Sequence, residues 1–358
     1  DTVRYTLSCL KRSSIIQEST GGNKTIVHRL QGQVYRETYL SNKEKLDEAH
    51  AHATSLLNEI NVDRLENFEQ QRQETRNLAE QIGAATSQDH SRPLFSDPDF
   101  IASLATTLRN ATDLGMPHLA LALTDSVTRA GDTLGRDHPS TLTARLNLAG
   151  AYQAAGRLSE AIPLYEQVFS GRSRVLGPDH RSTLMSRDEL AGAYREAGRF
   201  DEAITLKKQI LADAMRIMGP DSPGASAARS NLAATYRDAG RLDEAITLYQ
   251  ENLDNVTRTL GLDHLETLAS RHRLAGAHRD AGRLDEAIAL FEQNLTDFTR
   301  VLGPDHPHTL SSRGTLAGIY RDAGRLDEAI PLFEQNLDDR TRTLGLDHPE
   351  TLASRHSL

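Results

Sequence analysis

The sequence predicts an all-α fold, a right-handed α-solenoid of stacked helix pairs, because of a repeat, its fixed spacing and its helix boundaries. Leu-Gly pairs begin at positions 134, 176, 260, 302 and 344, Ala-Gly pairs at 155, 197, 239, 281 and 323, and Glu-Ala-Ile triplets at 160, 202, 244, 286 and 328. The copies lie on a period of 42 residues, with Met218-Gly219 in the missing Leu-Gly position. Such a period is typical of an array in which each unit packs on its neighbours.

Each unit has the boundaries of two helices. In the unit that begins at Pro139, the proline suits the first position of a helix, where its missing N–H costs nothing. Leu142 and Leu146 follow at helical spacing, and Gly156 can supply the left-handed residue that ends the helix. A second helix is expected from Leu158. One such pair cannot bury both of its faces, so stacking must supply the core.

Composition excludes several classes of function. The chain carries 41 Lys+Arg against 50 Asp+Glu, a net charge of −9, which argues against a nucleic-acid partner. A single cysteine, Cys9, permits neither an intrachain disulfide nor a cysteine-based zinc site. The sequence has no long apolar run and no secretion signal, so we expect a cytoplasmic protein without a membrane partner. Arginine outnumbers lysine 35 to 6, as is typical of GC-rich bacterial genomes.

The repeated residues resemble a known family. Residues 147–152 (NLAGAY), Gly156 and residues 160–162 (EAI) are similar to the tetratricopeptide repeat signature. The 42-residue period and the joint at 302–310 (LGPDHPHTL) resemble the kinesin-light-chain-like variety. The resemblance covers residues 136–358, as five repeats and a partial sixth. It implies that the inner face of each first helix lines a groove for a protein or peptide ligand.

The remaining segments are assigned as follows. Residues 98–135 are predicted to be a degenerate first repeat, one residue out of register, and residues 41–97 a helical linker. Residues 1–40 are predicted to be a winged-helix-like segment, with helices at 3–11 and 30–39 and a β-hairpin near 14–28. Since the chain begins without methionine and ends inside a helix, we expect a longer parent protein.

The front of the chain resembles the end of the winged-helix module of NB-ARC (STAND) signalling NTPases. The resemblance rests on residues 13–16 (SSII) and 27–31 (VHRLQ). It implies that His28 lies beside bound ADP and helps to hold the off state, with the parent's own NTPase core as a partner. No phosphate-binding loop of the form G-x-x-x-x-G-K-[S/T] occurs in this sequence. We therefore expect no cofactor in this chain. ADP or ATP is expected to bind only to the parent protein.

Neither a metal site nor a catalytic site is predicted. A histidine recurs at the joints, at His138, His180, His264, His306 and His348. Stacked repeats lie ~10 Å apart, too far for two of these side chains to share a zinc ion with bonds of ~2 Å. Ser222 also interrupts the series, so local hydrogen bonding is the preferred interpretation. The sequence contains neither G-x-S-x-G nor H-E-x-x-H, and we expect no enzyme activity.

Comparison of the units separates scaffold from candidate binding positions. An arginine is constant at 145, 187, 229, 271, 313 and 355, which indicates packing or ion pairs. The pairs at 146–147, 188–189, 230–231, 272–273 and 314–315 instead vary from unit to unit. We predict that Glu189, Asn231 and Arg273 contact the partner, although drift on a solvated surface would give the same variation.

A second set of candidates stands at the end of the first helices. Arg195, Arg237, Arg279 and Arg321 recur every 42 residues and would form a row along one wall of the groove. An arginine row can bind an extended acidic segment through bidentate contacts. Since each arginine precedes an acid, ion pairs between repeats are the alternative.

The predicted function is a partner-sensing scaffold that forms the C-terminal portion of a signalling NTPase. Two alternatives stay open: a free-standing adaptor that binds extended peptides, and part of a transcriptional regulator whose front segment contacts DNA.

Overall fold

The computed structural model describes residues 16–18, 25–27, 54–55, 57, 62, 65, 67–86 and 94–357. Near the front lie two short antiparallel strands, β1 (Ile16–Glu18) and β2 (Thr25–Val27), with Ile16 opposite Val27. The helices predicted at 3–11 and 30–39 fall outside the described residues. The structure therefore does not support the winged-helix assignment of residues 1–40, which stays a prediction.

The first compact unit runs to Ala197 and contains helices of uneven length. The helices are α1 (Phe68–Thr86), α2 (Pro98–Asp113), α3 (Pro117–Leu121), α4 (Thr124–Thr133), α5 (Pro139–Ala154), α6 (Leu158–Leu176) and α7 (Arg181–Glu196). Helix α2 packs on α5, α5 on α6, and α6 on α7. The 3₁₀ turn Leu94–Ser96 precedes α2 and places the ring of Phe95 edge-on to Phe100, with ring centroids 5.9 Å apart in the core.

The second compact unit begins at Gly198 and has a regular alternation of long and short helices. Its helices are α8 (Phe200–Met218), α9 (Pro223–Asp238), α10 (Leu242–Leu260), α11 (Leu265–Asp280), α12 (Leu284–Leu302), α13 (Pro307–Asp322), α14 (Leu326–Leu344) and α15 (Pro349–Ser357). Each helix packs on the next one along the chain. The unit is therefore held together by contacts between sequence neighbours, as the repeat predicts.

Small residues allow the helices to pack closely. One alanine of each first helix is fully buried, and its copies are Ala149, Ala191, Ala233, Ala275 and Ala317. A second alanine, early in each second helix, is equally buried at Ala161, Ala203, Ala245, Ala287 and Ala329. Because a methyl group is the largest side chain that such positions hold, a larger residue would separate the helices.

The Ala-Gly-Arg turn connects the two helices of a repeat. Gly240 has φ 72°, and the N–H of Arg241 donates to the carbonyl of Tyr236 at 2.9 Å, a Schellman end to α9. The Arg241 guanidinium then lies 4.7 Å from the centre of the Tyr236 ring and 2.6 Å from the Glu244 carboxylate. The turn therefore fixes the start of α10 through both a cation–π contact and an ion pair.

The predicted all-α class and the stacking of consecutive helix pairs are confirmed. The helix starts expected at Pro139 and Leu158 are also those of α5 and α6. In the region 98–135, α2 occupies the place of a first helix, whereas the following segment is divided into α3 and α4. The boundaries assigned to the linker and to the degenerate repeat stay predictions.

Candidate partner-binding surface

The recurrent joint histidines cap helices. The Nδ1 atoms of His138, His180, His264, His306 and His348 accept hydrogen bonds from the backbone N–H two residues later, at 3.2, 3.1, 3.1, 3.2 and 3.3 Å. Ser222, which interrupts the series, does the same with its Oγ, which accepts from the N–H of Ala225 at 3.1 Å. Both residue types satisfy free donors at a helix start. Among the described residues, no group of three or more potential metal ligands occurs.

The joint aspartates tie the two ends of a repeat together. Asp263 accepts from Arg300 at 2.5 Å, and Asp305 accepts from Arg342 at 2.5 Å. These hydrogen bonds lower the pKa of both carboxyl groups and raise the pKa of both arginines. The same contact joins Arg174 to Asp137 in the first unit. The whole joint motif is therefore structural.

Two of the constant arginines, Arg271 and Arg313, each bind a carboxylate of their own repeat. Arg271 donates to Asp297 at 2.7 Å, and Arg313 donates to Asp339 at 2.6 Å. Only 4% and 5% of the two arginine side chains are exposed, so both charges are buried beside a carboxylate. Removal of one partner would leave an uncompensated charge.

Several of the varied positions are accessible on the first helices. Glu189 is exposed on α7 of the first unit, and Asn231 is exposed on α9 of the second. Arg273, the counterpart of Asn231 on α11, is half-buried and donates to Glu266 at 2.9 Å. A partner can therefore reach Glu189, Asn231 and Arg273, whereas the varied Ser230 is buried.

The arginines at the ends of the first helices are placed beside acids. Arg237 of α9 donates to Asp280 of α11 at 2.5 Å, and Arg279 also lies 3.2 Å from Asp280. Burial opposes the charge on Arg237, but the hydrogen bond and the negative charge of Asp280 outweigh it and raise its pKa. Arg321 lies 3.8 Å from Asp322, and Arg195 is exposed at the end of α7. An ion pair between repeats, the alternative to ligand binding, is therefore present between Arg237 and Asp280.

A cleft of about 360 Å³ opens between α11, α12 and α13. It is lined by Leu265, Glu266, Ala269, His272, Arg273, Phe298, His308, Ser311 and Ser312. The Phe298 and His308 rings stack at 5.9 Å, and His272 lies edge-on to Phe291 at 5.0 Å. A volume of this size is at the lower end of ligand-binding sites, about 300–1,000 Å³.

The charges around this cleft are mainly positive. Burial lowers the pKa of His272, and nearby Arg273, Arg279 and Arg237 lower it further. The imidazole is therefore neutral near pH 7. Sequence comparison found His272 and Arg273 but missed the rest of the cleft, although positions 298 and 308 also differ from their counterparts 42 residues away.

His28, the nucleotide-sensing candidate, lies outside the described residues. Within the described part of the chain, no helix is both long and apolar enough to cross a bilayer.

Family models agree with the repeat pattern. A tetratricopeptide repeat model matches residues 112–172, 140–216, 224–296, 267–335 and 311–358, and a second such model matches residues 189–256. No curated protein sequence matches the chain.

Several solved structures are similar. One is a Podosopora anserina protein described as a kinesin light chain with nearly identical TPR-like repeats; it is 34% identical, the match covers 58% of this chain and 98% of that chain, and the TM-score is 0.51. The apo form of RapI is 11% identical over 87% of this chain and 79% of that chain, with a TM-score of 0.56. A STAND protein with a tetratricopeptide repeat sensor from Pyrococcus horikoshii is 16% identical over 97% of this chain and 53% of that chain, with a TM-score of 0.47.

The repeat models cover more than half of the chain, and the Podosopora structure is matched over nearly its whole length. Arrays of this kind are scaffolds for protein–protein interaction, since stacking creates an extended binding surface. The chain belongs to the tetratricopeptide repeat family, in its kinesin-light-chain-like variety.

Proposed function

We propose that this chain is the partner-sensing scaffold of a signal-transducing NTPase, and that a protein or peptide binds the inner face of its first helices. The observation that carries this proposal is the separation of constant from varied positions. The constant arginines Arg229, Arg271 and Arg313 are buried, whereas the varied Asn231 and Arg273 remain accessible on the same helices. The scaffold is thus kept constant while the reachable face changes from repeat to repeat.

The charge of the second unit's inner face favours an acidic partner. Arg237, Arg273 and Arg279 all lie close enough to act on His272. Their paired carboxylates, Asp280 and Glu266, are partly exposed, so a ligand can compete for these arginines. Arginine recognises carboxylates through bidentate hydrogen bonds, and several in sequence can follow an extended acidic segment.

The NTPase role rests on the resemblance of residues 13–31 to the end of a winged-helix module, followed by repeats of this type. In this proposal the array holds the absent nucleotide-binding core in its off state until a ligand arrives, and His28 lies beside ADP. The chain itself is then a non-catalytic scaffold, because tetratricopeptide repeats bind partners rather than carry out reactions. A cytoplasmic site is part of the same proposal.

The coding sequence upstream of Asp1 tests this role. A phosphate-binding loop in the same reading frame is the expected result, and a start codon directly before the codon of Asp1, with none further upstream, would contradict it. In the full-length protein, His28→Ala should speed the release of ADP and raise basal signalling. Unchanged release of ADP would remove His28 from the mechanism.

A free-standing adaptor is the second candidate function. It is favoured by the Podosopora match, which covers 98% of a chain described by its TPR-like repeats. An adaptor would bind its peptide with the same affinity whether or not a nucleotide is present, whereas a sensor would couple the two affinities reciprocally.

A further inference from the structure

Exposed apolar side chains of the second compact unit cluster at the joints between repeats. A joint consists of the end of a second helix and the turn that leads into the next first helix. Seven such side chains, which we call the joint strip, each keep 37–59% of their surface accessible: Ile217, Met218, Leu260, Leu262, Val301, Leu344 and Leu346. Single exposed leucines are common on proteins, whereas a contiguous apolar patch marks a site of interaction.

The opposite edge of the unit, at the Ala-Gly-Arg turns, is not apolar. There the guanidinium of Arg241 lies 4.7 Å from the centre of the Tyr236 ring, and that of Arg325 lies 4.6 Å from Tyr320. Leu326, in the last repeat, is the one large apolar side chain exposed directly beside such a turn within residues 198–357. The concentration of apolar surface is therefore specific to the joints.

Ion pairs show that consecutive joints are neighbours in space. Each of the helices α10, α12 and α14 ends in an arginine that donates to an aspartate of the preceding joint. The pairs are Arg258 with Asp221, Arg300 with Asp263 and Arg342 with Asp305, each at 2.5 Å. Because these contacts link all four joints in order, the joint strip runs along the whole edge of the unit.

The height of the strip alternates from joint to joint. The residue after the glycine of each joint is Pro220, Leu262, Pro304 and Leu346 in turn, and all four are exposed. Leu262 and Leu346 keep 57% and 59% of their surface accessible. A long side chain therefore projects at every second joint, and a surface that fits the strip needs short residues opposite those two leucines.

The ion pairs give the strip a direction. In each pair the aspartate lies in one joint and the arginine lies at the next, so the order from negative to positive repeats three times along the edge. All six side chains are at least 45% exposed, so a partner can contact both charges. A complementary surface must carry the same charges in the reverse order, at the spacing of the repeats.

A second copy of this chain, related by a two-fold axis, has both properties. Two-fold pairing over the full strip places the joint at 218–222 opposite that at 344–348, and the joint at 260–264 opposite that at 302–306. Each projecting leucine then faces a joint that has proline at the same position. The charge order of one copy also meets its reverse. Parallel pairing in register would instead set leucine against leucine and each charge against its like.

We propose that the joint strip is the interface of an antiparallel, two-fold dimer of this chain. A lipid surface is disfavoured, because the arginines beside the strip are paired with aspartates and the chain has a net charge of −9. The varied Asn231 and Arg273 lie within α9 and α11 rather than at the joints. The dimer is therefore independent of the proposed binding of a partner to the inner face.

Sedimentation velocity of the full chain tests the dimer. Because the interface is small, the sedimentation coefficient should rise from the monomer value to the dimer value between about 1 and 100 μM. Leu262→Glu combined with Leu346→Glu should raise the dissociation constant about ten-fold or more, since carboxylates would be buried against apolar side chains.

Leu326→Glu is the matched control for this change. Leu326 is 52% exposed but lies at the opposite edge, so its replacement should leave the dissociation constant within about two-fold. All three leucines are exposed, and the variants are therefore expected to fold, as circular dichroism would verify.

Cysteine cross-linking tests the orientation of the two copies. In a Cys9→Ser background, chains with Ile217→Cys mixed with chains with Leu346→Cys should form a disulfide-linked mixed dimer, because these two joints face each other. Neither variant alone should form a linked dimer. Parallel pairing predicts the opposite result, in which each variant links to its own copy.

A chain that stays monomeric at about 100 μM would overturn the proposal, as would a dimer that survives Leu262→Glu with Leu346→Glu. Cross-links formed by either variant alone, or missing from the mixture, would overturn the antiparallel arrangement. A monomer that co-sediments with phosphatidylcholine vesicles, and loses them in the double variant, would assign the strip to a lipid surface instead. None of these measurements needs the parent NTPase, so the dimer can fail while the sensor role stands, and the reverse.

Discussion

Arg237 at the end of α9 donates to Asp280 at the end of α11 at 2.5 Å, and so joins consecutive first helices of the second unit. The side chains keep 36% and 27% of their surface exposed. Solvent-exposed pairs contribute only ~0–1 kcal/mol to stability, so this contact does not hold the array together. The arginine therefore remains available to a stronger competitor.

The first prediction concerns this pair. Arg237→Glu combined with Arg279→Glu should abolish the binding of an acidic peptide, but should lower stability by no more than about 1–2 kcal/mol. Thermal unfolding followed by circular dichroism measures stability, and fluorescence anisotropy of a labelled peptide measures binding. The opposite result would be a large fall in the melting temperature of the double variant while each single variant still binds the peptide. That result would mean that both arginines stabilise the scaffold and do not contact the ligand.

The second prediction concerns the histidine caps. Because His264 accepts from the N–H of Glu266, His264→Ala should cost ~1 kcal/mol of stability in urea unfolding. His264→Ser should restore most of that loss, since Ser222 caps α9 through its hydroxyl group. If serine is no better than alanine at this position, the hydrogen bond is not what stabilises the helix start.

The third prediction compares two equivalent serines. Ser270→Ala should lower stability by ~1 kcal/mol or more, because it leaves the amide of Asn252 without one of its acceptors. Ser312→Ala removes a hydroxyl that bonds to nothing, so its midpoint of urea unfolding should stay constant or rise. Equal losses in the two variants would mean that Ser312 has a partner in solution.

The fourth prediction concerns pH. Burial and three arginines lower the folded-state pKa of His272, so the unfolded chain binds a proton at a higher pH than the folded chain does. The contribution of His272 is fully present above the unfolded pKa of about 6.5 and is lost as the pH falls toward the folded value. Urea midpoints across this range should therefore fall with acid, and the fall should be smaller in His272→Gln. An identical pH profile would contradict the assignment.

The sequence could predict the fold because its period repeats every local signal. Pro139, Gly156 and Leu158 mark helix ends through local chemistry, so α5 and α6 begin and end where expected. The tie between Asp137 and Arg174 was not predictable in the same way, since it joins residues 37 positions apart through packing. The hydrophobic periodicity of a single helix does not indicate contacts between residues of different helices.

The candidate site was only partly predictable for the same reason. Variation between repeats found His272 and Arg273, because both lie on the same helix, α11. The cleft also needs Phe298 from a second helix and Ser312 from a third. Arg172, the counterpart of Phe298 in another repeat, donates to Ser186, and the loss of that donor at position 298 becomes meaningful only when this bond is seen.

The binding surface on the first helices is tested most directly by one charge reversal on the inner face and one outside it. Anisotropy of a fluorescein-labelled hexaglutamate peptide should report binding to the full chain, weakened about ten-fold or more by Arg273→Glu. Arg300→Glu makes the same change in net charge at the joint, where Arg300 contacts Asp263, and should leave the affinity within about two-fold. Equal weakening by the two variants would show that the peptide responds to net charge alone, and would contradict a binding surface on the first helices.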